Sequence, residues 1–154
     1  MTAVIHVGAP APDFALRDQH NQLVGPSDFR GRKNVVLVFY PWAFTGVCTG
    51  ELRAIGDEVS SFQNDDVQVL GVSVDSIFVL RVFADREGLH YPLLSDFWPH
   101  GAVARAYGVF DENAGVALRG TFIIDRSGVV RWRVVQGIPD ARDRTEYQKV
   151  LASL

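Results

Sequence analysis

Only one cysteine, Cys48, occurs in 154 residues. No internal disulfide can form, and the chain is expected to work in a reducing, cytoplasmic setting. Lysine is almost as scarce, with 2 against 13 arginines, a bias that genome composition explains as well as function does. There is no strong excess of either charge: the net charge of −3 and pI near 5.7 give no reason to expect nucleic acid or an anionic membrane as the main partner. A long apolar run is also missing, since Val35 to Phe44 reaches only about half a membrane span. The opening MTAVIHVGAPAPDF has neither a basic leader nor an apolar core of signal-peptide length, so the protein is expected to be soluble and unexported. The four histidines, His6, His20, His90 and His100, show no paired ligand spacing, and no metal or cofactor is expected. No repeat, linker or low-complexity tract divides the chain. Residues 1–154 are therefore expected to form one domain, with 47% hydrophobic content to supply its core.

What is present is a clear alternation of periods. NVVLVFY (34–40) is continuously apolar and β-branched, as a strand covered on both faces must be. After Pro41 the apolar residues Leu52, Ile55, Val59 and Phe62 recur at helical spacing, which predicts a helix beginning near Gly46 or Val47. VQVLGVSV (67–74) reads as a second buried strand, and IFVLRVFADREG as a helix ended by Gly88. Strand, helix and strand at this spacing imply a parallel crossover. A short helix around GAVARAYGV follows. Leu118 to Ile124 and Val129 to Val135 then flank the turn residues Asp125 to Gly128, a hairpin signal. Asp140 to Leu154 is expected to be a closing helix with Tyr147, Val150 and Leu151 as its apolar side. Upstream, FALRD and QLVG can pair as a short hairpin. The order is that of an α/β, thioredoxin-like fold: a central mixed β-sheet flanked by helices, with an N-terminal β-hairpin extension.

Cys48 thereby falls in the first turn of a helix that follows a central strand. Backbone N–H groups there lack intrahelical partners and the helix dipole is positive, so a thiolate is favoured. A free cysteine is also commonly just a small buried hydrophobe. What distinguishes this one is its neighbours, Pro41, Thr45 and Cys48, spaced Pro-x-x-x-Thr-x-x-Cys across the strand-to-helix turn. Each has a plain structural role open to it: Pro41 ends the strand, and Thr45 caps the helix. Glu51 serves equally as a first-turn acid, and Arg119 as one solvated arginine among thirteen.

With this motif the chain resembles the peroxiredoxins, thiol-dependent peroxidases on a thioredoxin-like fold. GAPAPDFAL before the motif, QNDDVQVLGVSVD and YPLLSD after it, and RGTFIID near the end carry the likeness along nearly the whole chain. AFTGVCTGEL and SDFWPHGAVARAYGVF look most like the one-cysteine, alkyl hydroperoxide reductase E type of actinobacteria. The resemblance implies that Cys48 is the peroxidatic nucleophile and that Thr45 hydrogen-bonds the thiolate and the bound peroxide. It further implies that Pro41 shields the sulfur, that Arg119 approaches it from across the sheet, and that Glu51 orients the arginine.

The reaction so implied is attack of the thiolate on hydrogen peroxide, an organic hydroperoxide or peroxynitrite, leaving a sulfenic acid. Lowering a thiol pKa from about 8.5 to about 6 would raise the anionic fraction only roughly tenfold to thirtyfold near neutral pH. Donors aimed at the transition state must supply the rest. With no second cysteine, an external thiol has to reduce the sulfenic acid. By resemblance that reductant is mycothiol acting with a mycoredoxin; the sequence leaves glutathione, another small thiol and a thioredoxin open. The resemblance implies a partner surface too, because such proteins often dimerise through loops flanking the active site, which here would use Trp42, Phe44 and Trp98 in a homodimer or higher homo-oligomer. His100 has no catalytic role assigned. Three rivals stand beside this reading. Thioredoxin-type dithiol chemistry fails because Glu51 stands where its second cysteine would be. A cysteine hydrolase would need a histidine base. The third is a sensing or interaction module in which Cys48 is simply packed.

Overall fold

The computed structural model describes residues 5–62, 66–138 and 145–154. Its centre is strand β3 (Asn34–Phe39), every residue of which is buried, as its unbroken apolar run requires. Beside it lie β4 (Val67–Ser73) and β5 (Leu93–Ser95), both parallel to it, and on the other side β8 (Arg119–Ile124), antiparallel to β3, and β9 (Val130–Gln136), antiparallel to β8. The strand order β5-β4-β3-β8-β9 makes a mixed sheet of thioredoxin-like type.

Alternation along β3 splits the core in two. Val36 and Val38, joined by Tyr40 just beyond the strand, face a layer built from α1 (Gly46–Phe62), α2 (Ile77–Glu87) and α4 (Thr145–Ala152). Val35, Leu37 and Phe39 face the opposite layer, which holds α3 (Ala102–Ala106) and the N-terminal segment around Phe14. Helix α2 starts where the Ser76 hydroxyl accepts from the Val79 N–H, and it ends at Gly88, whose φ of +64° is the left-handed conformation that glycine adopts without strain.

The N-terminal hairpin forms as expected, from β1 (Leu16–Arg17) and β2 (Leu23–Val24). A second small hairpin, β6 (Phe110–Asp111) with β7 (Val116–Ala117), is not anticipated by the sequence pattern. Its strands have two residues each, too few to show a period, although DENAG between them carries turn formers. Helix α4 is described only from Thr145, so the expected start at Asp140 lies outside the described residues, as do the side chains of Val59, Phe62 and Tyr147. Val150 and Leu151 pack against the α1 layer.

Candidate active site

Strand β3 delivers the chain to Tyr40 and Pro41, both buried, at the C-terminal edge of the sheet. Five residues, 41–45, then turn it into α1. Within this loop Phe44 has φ +67°, a left-handed conformation that costs a bulky residue of order 1–3 kcal/mol. Neighbouring contacts hold it there. The Phe44 ring lies edge-on to Phe83 of α2 at 5.0 Å, and the Thr45 hydroxyl donates to the Trp42 carbonyl at 3.0 Å. The Thr45 carbonyl accepts the Thr49 N–H at 2.8 Å, so Thr45 is the residue from which α1 departs.

Cys48 is the third residue of α1 and is fully buried, in the same cluster as Tyr40, Ala43, Leu52 and Ile55. Glu51 lies one turn further. No acid occupies the first turn of α1, so the reading of Glu51 as a first-turn partner of the helix dipole is corrected: the helix begins at Gly46, which puts Glu51 sixth. Three residues apart on one helix, Cys48 and Glu51 share a face.

From the sheet, Arg119 opens β8. The β3–β8 register pairs Val38 with Thr121, and two residues further it sets Arg119 opposite Tyr40, on the face that carries α1. Arg119 retains 3% exposure and Glu51 8%, and the arginine Nη1 donates to the Glu51 carboxylate. Its Nε donates to the Ile138 carbonyl at 2.6 Å. Nη2 has no hydrogen-bond partner among the described residues. A buried guanidinium survives because these acceptors replace its water, and because it cannot discharge by losing a proton.

The structure thus joins Glu51 to Arg119 by a direct ion pair. Among the described residues no hydrogen bond joins Thr45 or Arg119 to the Cys48 sulfur; the Thr45 hydroxyl is turned to Trp42 instead. Pro41 is buried at the strand end. His100 stands apart, its Nε2 against the Gly115 carbonyl at 2.7 Å. Trp42, Phe44 and Trp98 are 38%, 46% and 79% exposed, so Trp98 is a surface aromatic rather than a core one.

Two groups beneath the loop carry no mark in the sequence. Burial pushes the ionisation of the Tyr40 hydroxyl well above the ordinary tyrosine range, the nearby Ser73 side chain offsetting part of that, so it stays a neutral donor. Asp75, just past β4, accepts the Ala43 N–H at 2.9 Å and the Ser73 hydroxyl at 2.8 Å on one carboxylate oxygen. Both depend on which residues meet at the edge of the sheet, and an Asp two places before a helix reads from sequence as a turn residue.

The AhpC/TSA family matches residues 7–133. Alkyl hydroperoxide reductase E of Mycobacterium tuberculosis is 50% identical over 151 residues, covering 98% of this chain and 99% of the relative. A putative peroxiredoxin of Synechocystis is 41% identical over 164 residues, covering 100% and 80%. Among solved structures, Enterococcus faecalis AhpC superposes with a TM-score of 0.87 at 29% identity, over 97% of this chain and 92% of that one. A reduced Plasmodium vivax 2-Cys peroxiredoxin gives 0.84 at 29% identity, over 95% and 80%.

Removing the carboxylate from the buried pair strands a charge. Glu51→Ala is expected to destabilise the fold by about 3–5 kcal/mol, a loss of roughly 10 °C in thermal midpoint for a chain of this size. Differential scanning calorimetry checks this, and a drop of under about 2 °C would mean that the charge is compensated elsewhere.

Proposed function

This chain belongs to the AhpC/TSA family as a peroxiredoxin, a thiol-dependent hydroperoxide reductase of the alkyl hydroperoxide reductase E type, and we propose that it works by a one-cysteine cycle centred on Cys48. The observation that carries this reading is the placement of the chain's only cysteine one helical turn before Glu51, in the buried layer that also receives Arg119.

In the proposed cycle the Cys48 thiolate attacks the terminal oxygen of a hydroperoxide. The S–O bond forms as the O–O bond breaks, and the O–O electron pair leaves on the departing oxygen, which takes a proton and departs as water or an alcohol. Sulfur is oxidised by two electrons to the sulfenic acid. Hydrogen peroxide and organic hydroperoxides fit this scheme directly, and peroxynitrite fits it with nitrite as the leaving group. Negative charge moves from sulfur to oxygen along the way, and donors aimed at that oxygen accelerate the step. Arg119 Nη2, which has no hydrogen-bond partner among the described residues, is the donor for this task, and the guanidinium is held in place through Glu51 and Ile138. The Thr45 hydroxyl is a second donor once it rotates from the Trp42 carbonyl. Pro41 shields the sulfur from water.

Reduction then comes from outside. An external thiol attacks the sulfenic sulfur, expels water and forms a mixed disulfide; a second thiol displaces Cys48 and restores the thiolate. Mycothiol with a mycoredoxin is the reductant pair in this reading, within a reducing cytoplasm. The lone cysteine supports that choice of cycle, since no partner thiol exists in the chain. A second copy of the chain is proposed to cover Trp42, Phe44 and Trp98, whose exposure is unusual for aromatics of this size.

Treatment with excess hydroperoxide should add oxygen atoms to the intact mass of the protein but not to that of Cys48→Ser; an unchanged mass in the unsubstituted protein would reject the peroxidase reading. Arg119→Lys keeps the charge and loses the fork, and is expected to slow oxidation in stopped flow by about 10²–10³. Near-native speed removes Arg119 from the site. For assembly, Trp98→Arg should shift sedimentation of the protein toward the monomer, whereas an unaltered distribution excludes Trp98 from the interface.

A further inference from the structure

The loop that carries Pro41, Phe44 and Thr45 is fastened from outside by one side-chain hydrogen bond among the described residues, from the Ala43 N–H to Asp75. Asp75 is itself braced. Its Oδ2 takes the Ser73 hydroxyl as well as the Ala43 N–H, and its own carbonyl accepts the Ser95 hydroxyl at 2.6 Å. The Asp75 N–H lies 3.4 Å from the Ser73 Oγ, closing a small ring at the end of β4. Ser73 is fully buried, so this carboxylate has a fixed rather than a roving partner. The Ala43 N–H it holds belongs to the residue directly before the strained Phe44, and Cys48 below is sealed from solvent in this arrangement.

We propose that Asp75 is a positioning residue for the peroxidase site, a tether between the end of β4 and the 41–45 loop that keeps Phe44 and Thr45 in their reactive places and closes the loop over Cys48. The rate consequence rests on the peroxidase reading above; the closure of the loop does not. With the tether in place the loop is shaped for a small hydroperoxide. With it released, Phe44 is free to relax toward negative φ, Thr45 loses its place, and the sulfur opens to larger reagents. The geometry matters here rather than the charge, because both bonds fall on a single oxygen that an asparagine can reproduce.

The test compares Asp75→Ala, Asp75→Asn and Ser73→Ala in the full chain by two readouts: stopped-flow oxidation by hydrogen peroxide, and alkylation of reduced Cys48 by iodoacetamide. Asp75→Ala is expected to be oxidised about tenfold more slowly and alkylated about tenfold faster, the size expected for loss of a hydrogen bond to a charged group. Asp75→Asn, which keeps the acceptor, should stay within about threefold of the unsubstituted protein on both. Oxidation and alkylation of Asp75→Ala within about twofold of the unsubstituted rates overturns the proposal, and so does an Asp75→Asn that behaves like Asp75→Ala. If Asp75→Ala does not fold, Ser73→Ala decides: alkylation about threefold faster supports the tether, and an unchanged rate overturns it. Should the unsubstituted protein consume no hydroperoxide at all, the peroxidase reading falls, while alkylation still decides the tether.

Discussion

Burying an arginine at the edge of a sheet sets the terms for everything around it. A guanidinium cannot lose its proton to escape a dry environment, so Arg119 needs an anion and a carbonyl delivered to it, and Glu51 and Ile138 do this. The carboxylate comes from α1, and satisfying it fixes how that helix is rotated about its own axis against β8. Cys48 is three residues before Glu51 and therefore shares its face. The ion pair thus turns the sulfur toward the sheet, and the burial of Cys48 with Leu52 and Ile55 is the packing counterpart of the same rotation.

Helix rotation alone does not define the path by which the chain enters α1. That is set in the five residues after β3, and the chain pays for a sharp turn with a left-handed Phe44. Backbone strain of this kind persists only where its surroundings over-determine it. Three separate elements take part: Phe83 of α2 under the aromatic ring, Asp75 beyond β4 on the Ala43 N–H, and α1 itself on the Thr45 carbonyl. The loop is consequently a junction of β3 and β4 with α1 and α2.

The long elements were legible because their periods are unambiguous. Asn34 to Phe39 has no polar residue after the first, and α2 carries both a serine cap and a terminal glycine. Pro41, Thr45 and Cys48 were legible through their spacing, and Arg119 with Glu51 through likeness to a family, since 68 residues separate them. Local pattern does not reveal such distant contacts. For the same reason Asp75 went unseen: its partner Ala43 lies 32 residues away and contributes only a backbone N–H, which leaves no trace in the amino-acid sequence. The β6–β7 hairpin was missed for want of length, and the orientation of the Thr45 hydroxyl depends on a torsion that residue type does not decide.

Magnitudes explain why a site with so few polar groups needs so much scaffolding. Ionising a thiol gains roughly tenfold to thirtyfold at neutral pH, and one well-placed donor adds about 10²–10³. Together these give at most about 3 × 10⁴, well short of the millionfold at which enzymatic acceleration usually begins. Orientation can supply the remainder, because holding reactants in a near-attack geometry is worth several powers of ten, but only if the reacting atoms are held to within about an ångström. The sulfur sits on a helix, the arginine on a strand, and the threonine on the loop between strand and helix. Precision in the proposed site is therefore a property of the junction between elements, and on that reading the groups that fasten the junction count toward the rate without touching the peroxide.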